Sequence, residues 1–177
     1  MAEPLPQRDE FRHFLPIQTR WSDNDQYGHA NNVVYYSYFD TAVNQHLIDR
    51  GVLDPGRSSV IGVVVETGCQ FRRPVGFPDP LEAGLRVVAL GTRSVRYEIG
   101  IFRAGEREPV AFGHFVHVYV DRKRFESAPI PGPVRAVLLP LFVQQRSALS
   151  SGGRTADDSI GGATANAEQG QKEERGE

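Results

Sequence analysis

Within the central part of this chain one long stretch repeats its apolar residues with the period of a helix, while nearly everything after it has the period of a strand. Val34, Tyr35, Tyr38, Phe39, Ala42, Val43, His46 and Leu47 recur at spacings of three and four. Arg50 then supplies a basic last turn, and Gly51 is a residue suited to closing a helix. Ahead of it, "FLPIQTRW" is a short strand candidate with Ile17, Thr19 and Trp21 on one side. After it, "SSVIGVVVETGCQF" reads as a long strand, ended by Pro74, Pro78 and Pro80. "LEAGLRVVAL" sets Leu81, Ala83, Leu85, Val87 and Ala89 on one face, and "VRYEIGIF" sets Val95, Tyr97, Ile99 and Ile101 together. "PVAFGHFVHVYVD" aligns Val110, Phe112, His114, Val116, Val118 and Val120, and "GPVRAVLLPLF" is a second, shorter helical stretch. Connections as short as "GTRS" and "RAGERE" favour antiparallel neighbours. A lone helix buries its stripe only if a sheet curls around it, so the expected fold is α+β: one long helix wrapped by a curved antiparallel sheet of about five strands.

The 177 residues suffice for one domain with a sizeable core. Residues 1–12, with Pro4, Pro6 and a run of charges, are expected to be a flexible leader, and residues 13–146 the folded domain. Residues 147–177 have no aromatic residue and are rich in Gly, Ala and Ser, so they are expected to be a disordered low-complexity tail. The 20 basic residues nearly balance the 22 acidic ones, which leaves no net field to attract nucleic acid or an anionic membrane. A single cysteine, Cys69, excludes an intramolecular disulfide and a thiolate metal cluster built from this chain alone. The N-terminus lacks the apolar run of a secretory signal, and no stretch approaches the roughly 20 apolar residues that span a bilayer. A cytoplasmic location is the expectation.

"RWSDNDQYGHANNVVYYSYFD", residues 20–40, is too polar for a core element and abuts the helical pattern directly. Asn31 or Asn32 stands where an N-cap belongs, which places the helix start near Asn32 or Val33. The unpaired amides and positive dipole end of that helix then lie a few residues from Asp23 and Asp25. Such amides polarise a carbonyl, and a carboxylate beside them attacks that carbonyl or activates water. Asp23 is read as stabilising the helix start and tying the loop, and Asp25 as the functional acid. "DNDQYG" begins like a calcium loop, but Tyr27 and Val34 occupy positions that need oxygen ligands. Asp23, Asp25 and His29 lack a second histidine at the spacing of a transition-metal site. No HExxH, P-loop, GxGxxG or GxSxG sequence occurs.

The same stretch resembles the opening of the 4-hydroxybenzoyl-CoA thioesterase family of the hotdog superfamily, whose pattern is roughly D-x-D-x-x-G-H-x-N-N-x-x-Y-x-x-Y-x-[DE]. The match falls at Asp23, Asp25, Gly28, His29, Asn31, Asn32, Tyr35, Tyr38 and Asp40, and the resemblance covers about residues 13–143. It implies a hotdog fold and hydrolysis of acyl-CoA thioesters with no metal or other cofactor. It also implies a homodimer, often paired into a homotetramer, with active sites between subunits. Carried over by position, the catalytic carboxylate is Asp25, and the amide that polarises the thioester carbonyl lies near Asn32. His29 is a candidate for orienting Asp25 or a water, Tyr35 for a wall of the acyl pocket, and Asp40 for the acid that some members carry on the helix.

Coenzyme A carries phosphates that the balanced net charge will not attract, so local arginines are the candidates. These are Arg72 and Arg73 before Pro74, and Arg93 and Arg96 around the "GTRS" turn, with Arg93 foremost. His114 and His117 receive no role. Two other readings stand beside hydrolysis: a module that binds an acyl-CoA or acyl-carrier ligand without turning it over, and a hotdog dehydratase. A thioester suits the residues present, because its thiolate leaves without much general-acid help.

Overall fold

The computed structural model describes residues 5–144, and the tail expected over 147–177 lies outside that range. The elements run β1 (His13–Ile17), α1 (Asn32–Asp49), β2 (Val60–Phe71), β3 (Leu81–Leu90), β4 (Ser94–Arg103), β5 (Ala111–Asp121) and α2 (Gly132–Leu138). The five strands form one antiparallel sheet in the order β1-β3-β4-β5-β2, with β1 and β2 at its edges. The fold is thus α+β, a single long helix held by a five-stranded antiparallel sheet.

The α1 pattern buries the stripe read from the sequence: Tyr35, Tyr38, Phe39, Ala42, Val43, His46 and Leu47 are all buried. Gly51, with φ of 69°, closes the helix through its amide, which donates to the Ile48 carbonyl. Phe39 is fully buried, its ring edge-on to Phe115 at 5.8 Å. A Cβ at Gly113 would collide with the Phe39 ring and the Gly68 carbonyl, so this glycine sets how closely helix and sheet approach. Gly113→Ala is therefore expected to lower stability by roughly 1–3 kcal/mol. Chemical denaturation checks this, and a midpoint equal to the parent's contradicts it.

On β4 the predicted inner face is the observed one, since Val95, Tyr97, Ile99 and Ile101 are all at most 1% exposed. The other strands depart from expectation in instructive ways. On β5 the face turned to the helix is Ala111, Gly113, Phe115, His117 and Tyr119, and the valine-rich set including Phe112, His114, Val116 and Val118 lies on the back. Both faces are apolar enough to satisfy a period of two, and pairing of Tyr97 with Phe115 decides between them. On β3, a register shift between Val87 and Ala89 leaves Val88 buried and Ala89 exposed. β1 stops at Ile17, and Trp21 stands in a separate 3₁₀ turn with 81% of its surface exposed.

The segment expected as a loose leader is anchored from Gln7 onward. A 3₁₀ turn at Arg8–Glu10 brings Phe11, 5% exposed, edge-on to Phe102 at 5.4 Å on the back of the sheet. Gly84 and Gly100 leave the room for it, and Arg8 pairs with Glu82 at 2.7 Å. One aromatic residue with a prepared notch offsets the ordering of a short charged stretch. Among the described residues no helix is long and apolar enough to cross a membrane.

Three histidines sit in this core. His13 and His46 face each other with ring centroids 4.6 Å apart, and burial holds both below the ordinary imidazole range. His117, 2% exposed between Tyr97 and Phe115, is pushed down by burial to about 4. A folded-state value below the unfolded one means that the unfolded chain takes up the proton first as pH falls. Stability is therefore complete above about 6.5 and declines as pH drops toward 4, by up to roughly 3 kcal/mol from His117. Urea denaturation at pH 7.5 and pH 5 is expected to show this loss, reduced in His117→Phe. An identical loss in that variant would remove His117 from the effect.

Candidate active site

Between β1 and α1 the chain folds a polar loop whose bonds are almost all to itself or to one neighbouring loop. The Trp21–Asp23 turn leads to Asn24, which bridges Ala30 in antiparallel fashion. Inside that bridge the Asp25 amide donates to the His29 carbonyl at 2.8 Å, and the Gly28 amide to the Asp25 carbonyl at 3.1 Å. Gly28 takes φ of 81°, a left-handed conformation that a side chain would strain. The Asp25 carboxylate accepts the Tyr27 amide through Oδ1 at 2.8 Å, which orients the carboxyl group while Oδ2 takes no hydrogen bond among the described residues. Behind the loop, the Ala30 amide donates to the Val75 carbonyl at 2.7 Å and the Phe77 amide to Asn24 Oδ1 at 2.9 Å.

The helix begins where the asparagine pair predicts. Asn31 is the N-cap: its side chain accepts the Val33 amide at 3.1 Å and its carbonyl the Val34 amide at 2.9 Å. The Asn31 amide in turn donates to the Asp23 carbonyl at 2.8 Å. Among the described residues the Asn32 amide has no acceptor, so the first residue of an 18-residue helix presents a free donor at its positive end. Removing the cap by Asn31→Ala is expected to cost about 1 kcal/mol. Thermal unfolding measures it, and an unchanged transition would mean that the Asp23 carbonyl alone holds the helix start.

Asp25, His29, Asn32 and Tyr35 line one cavity of about 350 Å³, open to solvent. Its other wall is Phe71 at the end of β2 with Arg72, Arg73 and Pro74 beyond it. Tyr35 is 4% exposed, its ring edge-on to Phe71 at 5.1 Å, and burial pushes its hydroxyl up to about 12, so it stays a neutral phenol. Arg73 pairs with Glu106 at 2.6 Å, whereas among the described residues the Arg72 guanidinium bonds only the neutral Gln70 side chain at 3.3 Å and has no carboxylate partner. Among the described residues no three His, Cys, Asp or Glu side chains gather in a metal-ligating group.

Of the residues singled out from the sequence, Asp25, His29, Asn32, Tyr35 and Arg72 are thus brought together. Arg93 and Arg96 are not. Arg96 pairs with Glu66 at 2.9 Å, and Arg93 donates to the Ser127 carbonyl at the start of β4. The cavity lies beside the other end of that strand, and ten residues of strand span about 30 Å. Asp40 is exposed on α1, bonded to Asn44 four residues on. Sequence reasoning missed Phe71 as a pocket wall, because its place opposite Tyr35 depends on how the edge strand meets the helix. It also missed the depth of Asp23, which is 1% exposed. Burial opposes ionisation of Asp23, yet the Arg20 amide, the Tyr38 hydroxyl and the Arg20 guanidinium outweigh it and hold its carboxyl below the usual range.

One open cavity is lined by Asp25 and by Asn32, the helix-terminal residue whose amide has no acceptor among the described residues, in a domain where a long helix is held by an antiparallel sheet, the arrangement of a hotdog domain. The model of the thioesterase-like superfamily matches residues 19–138, and the chain belongs to that superfamily. PA5185 of Pseudomonas aeruginosa strain PAO1 is 51% identical over 78% of this chain and 97% of its own, with a TM-score of 0.77. The gentisyl-coenzyme A thioesterase BH1999 shares the fold, with a TM-score of 0.64 at 24% identity over 71% of this chain and 99% of its own. The chloroplastic acyl-acyl carrier protein thioesterase ATL3 of Arabidopsis thaliana is 23% identical over 139 residues, 77% of this chain and 72% of that protein.

Proposed function

We propose that this protein hydrolyses acyl-CoA thioesters to free acid and coenzyme A, in the manner of the 4-hydroxybenzoyl-CoA thioesterase family. The observation that carries the reading is the shared cavity of Asp25 and Asn32, one a carboxylate with a free oxygen and the other an amide with no acceptor. The Asn32 amide holds the thioester oxygen as charge develops on it, at the positive end of α1. Asp25 attacks the carbonyl carbon to give an anhydride that water opens, or it takes a proton from the water that attacks. Either way the C–S bond breaks and the thiolate of coenzyme A departs. His29, on the rim of the same cavity, orients Asp25 or that water, and Tyr35 with Phe71 gives an apolar wall for the acyl group.

Arg72, which lines the cavity without a carboxylate partner among the described residues, is the arginine suited to a phosphate of coenzyme A. Membership of the thioesterase-like superfamily and sequence similarity to an acyl-carrier thioesterase support cleavage of a thioester, and this arginine favours coenzyme A as its carrier. A homodimer is part of the proposal. β2 is a 12-residue edge with Val64, Val65 and Phe71 each more than 40% exposed, and such an edge pairs readily with a second copy. That pairing would close the cavity beside Phe71.

Thiol release from a panel of fatty, branched and aromatic acyl-CoAs tests the activity. At least one substrate is expected to be turned over, and Asp25→Asn to lower kcat by about a hundredfold or more. A variant as fast as the parent removes Asp25 from the chemistry. No thiol from any acyl-CoA, with a ligand nonetheless bound, replaces hydrolysis by a binding role.

A further inference from the structure

We infer that Asp23 and Tyr38 are positioning residues, whose buried hydrogen bond fixes the Asp25 loop to the body of α1 and so sets the gap between the Asp25 carboxylate and the Asn32 amide. The inference rests on the roles given to Asp25 and Asn32 above.

Among the described residues every hydrogen bond of Asp25 stays within its own turn, to Tyr27, Gly28 and His29, and none of them joins it to the helix. Asn24 and Ala30 tie the loop outward, to Phe77 and Val75, which belong to the neighbouring loop and not to α1. Among the described residues, the one side-chain hydrogen bond from residues 20–30 to the body of α1 is that of the Tyr38 hydroxyl to Asp23 Oδ2, at 2.8 Å. Tyr38 lies six residues past Asn32, about 9 Å along the helix, on the buried face next to Tyr35.

Asp23 makes the connection rigid. Its Oδ2 also accepts the Arg20 amide at 2.9 Å, its Oδ1 accepts Arg20 Nε at 2.9 Å, and its carbonyl accepts the Asn31 amide. One residue thereby holds the loop at the helix entrance through the backbone and two turns further along through the side chain. Asp25 follows two residues later and the Asn32 amide directly follows Asn31, so the bond geometry at Asp23 is inherited by both reacting groups. A buried carboxylate is costly to leave without partners, and here three hydrogen-bond donors hold it from two elements, the turn at Arg20 and the body of α1. The distance between a nucleophile or base and its carbonyl is also where small errors matter, since a displacement near 1 Å costs about a hundredfold in rate.

Tyr38→Phe removes one oxygen and keeps the ring, and Asp23→Asn keeps one acceptor while losing the ion pair. With an acyl-CoA that the parent turns over, both are expected to lower kcat tenfold or more with KM within about twofold, Asp23→Asn retaining more activity than Asp23→Ala. Amide exchange at residues 24–31 is expected to rise at least tenfold in Tyr38→Phe, with the sheet as protected as in the parent. A kcat equal to the parent's, or exchange that rises over the whole domain together, overturns the positioning role. If Asp25→Asn is as fast as the parent, the reading of the site fails, and unchanged exchange at residues 24–31 would then overturn the clamp as well. Should Asp23→Ala not fold, Tyr38→Phe decides alone.

Discussion

Phe39 against the backbone of Gly113 is the contact on which the rest of this molecule is arranged. A fully buried aromatic ring is pressed onto a strand at a residue with no side chain, and that sets the separation of α1 from the sheet. Once the helix lies this close, Tyr35, Ala42, Val43 and Leu47 reach the inner residues of β3, β4 and β5, and burial of each large side chain contributes about 1.5–3 kcal/mol. The sheet has to curve to follow the helix, which leaves β1 and β2 as edges on its two sides. The cavity opens where the end of β2 passes the first turn of α1, so the central packing also positions the candidate site.

Polar groups in this core are of two kinds. Asp23 is buried with a full set of donors, and those donors keep it ionised against the cost of desolvation. His117 is buried with ring nitrogens that find no partner among the described residues, and burial drives both it and His46 toward the neutral form. The first kind couples a loop to the helix, and the second makes the folded state sensitive to acid. Both follow from placing titratable side chains on a surface that a long helix covers.

Legibility differed between elements for identifiable reasons. The α1 stripe was readable because its apolar residues recur at spacings of three and four, and the inner face of β4 because Ser94, Arg96 and Glu98 alternate with Val95, Tyr97 and Ile99. β5 was misread because valines on one face and aromatic residues on the other make both apolar, and pairing with β4 decides which turns inward. Ala89 was misassigned because a bulge on β3 is invisible to a strict alternation. Asp25, His29 and Asn32 were readable as neighbours around one cavity because all three lie within the few residues that lead into the helix start. Arg93 and Arg96 bond elsewhere within the chain, to the Ser127 carbonyl and to Glu66 respectively, since adjacency to a turn says nothing about which end of a strand lies beside the cavity.

By itself the sequence determined the one long helix, its N-cap, the strands and the polar loop before the helix, because these depend on neighbours within a few residues. Tertiary structure alone decided that Phe71 and Arg72 face Asp25, that Asp23 is buried under Tyr38, and that Phe11 covers the back of the sheet. Each of those contacts joins residues far apart along the chain or on different elements. Only the register of the strands and the closeness of the helix, set by packing volumes, bring them within bonding distance.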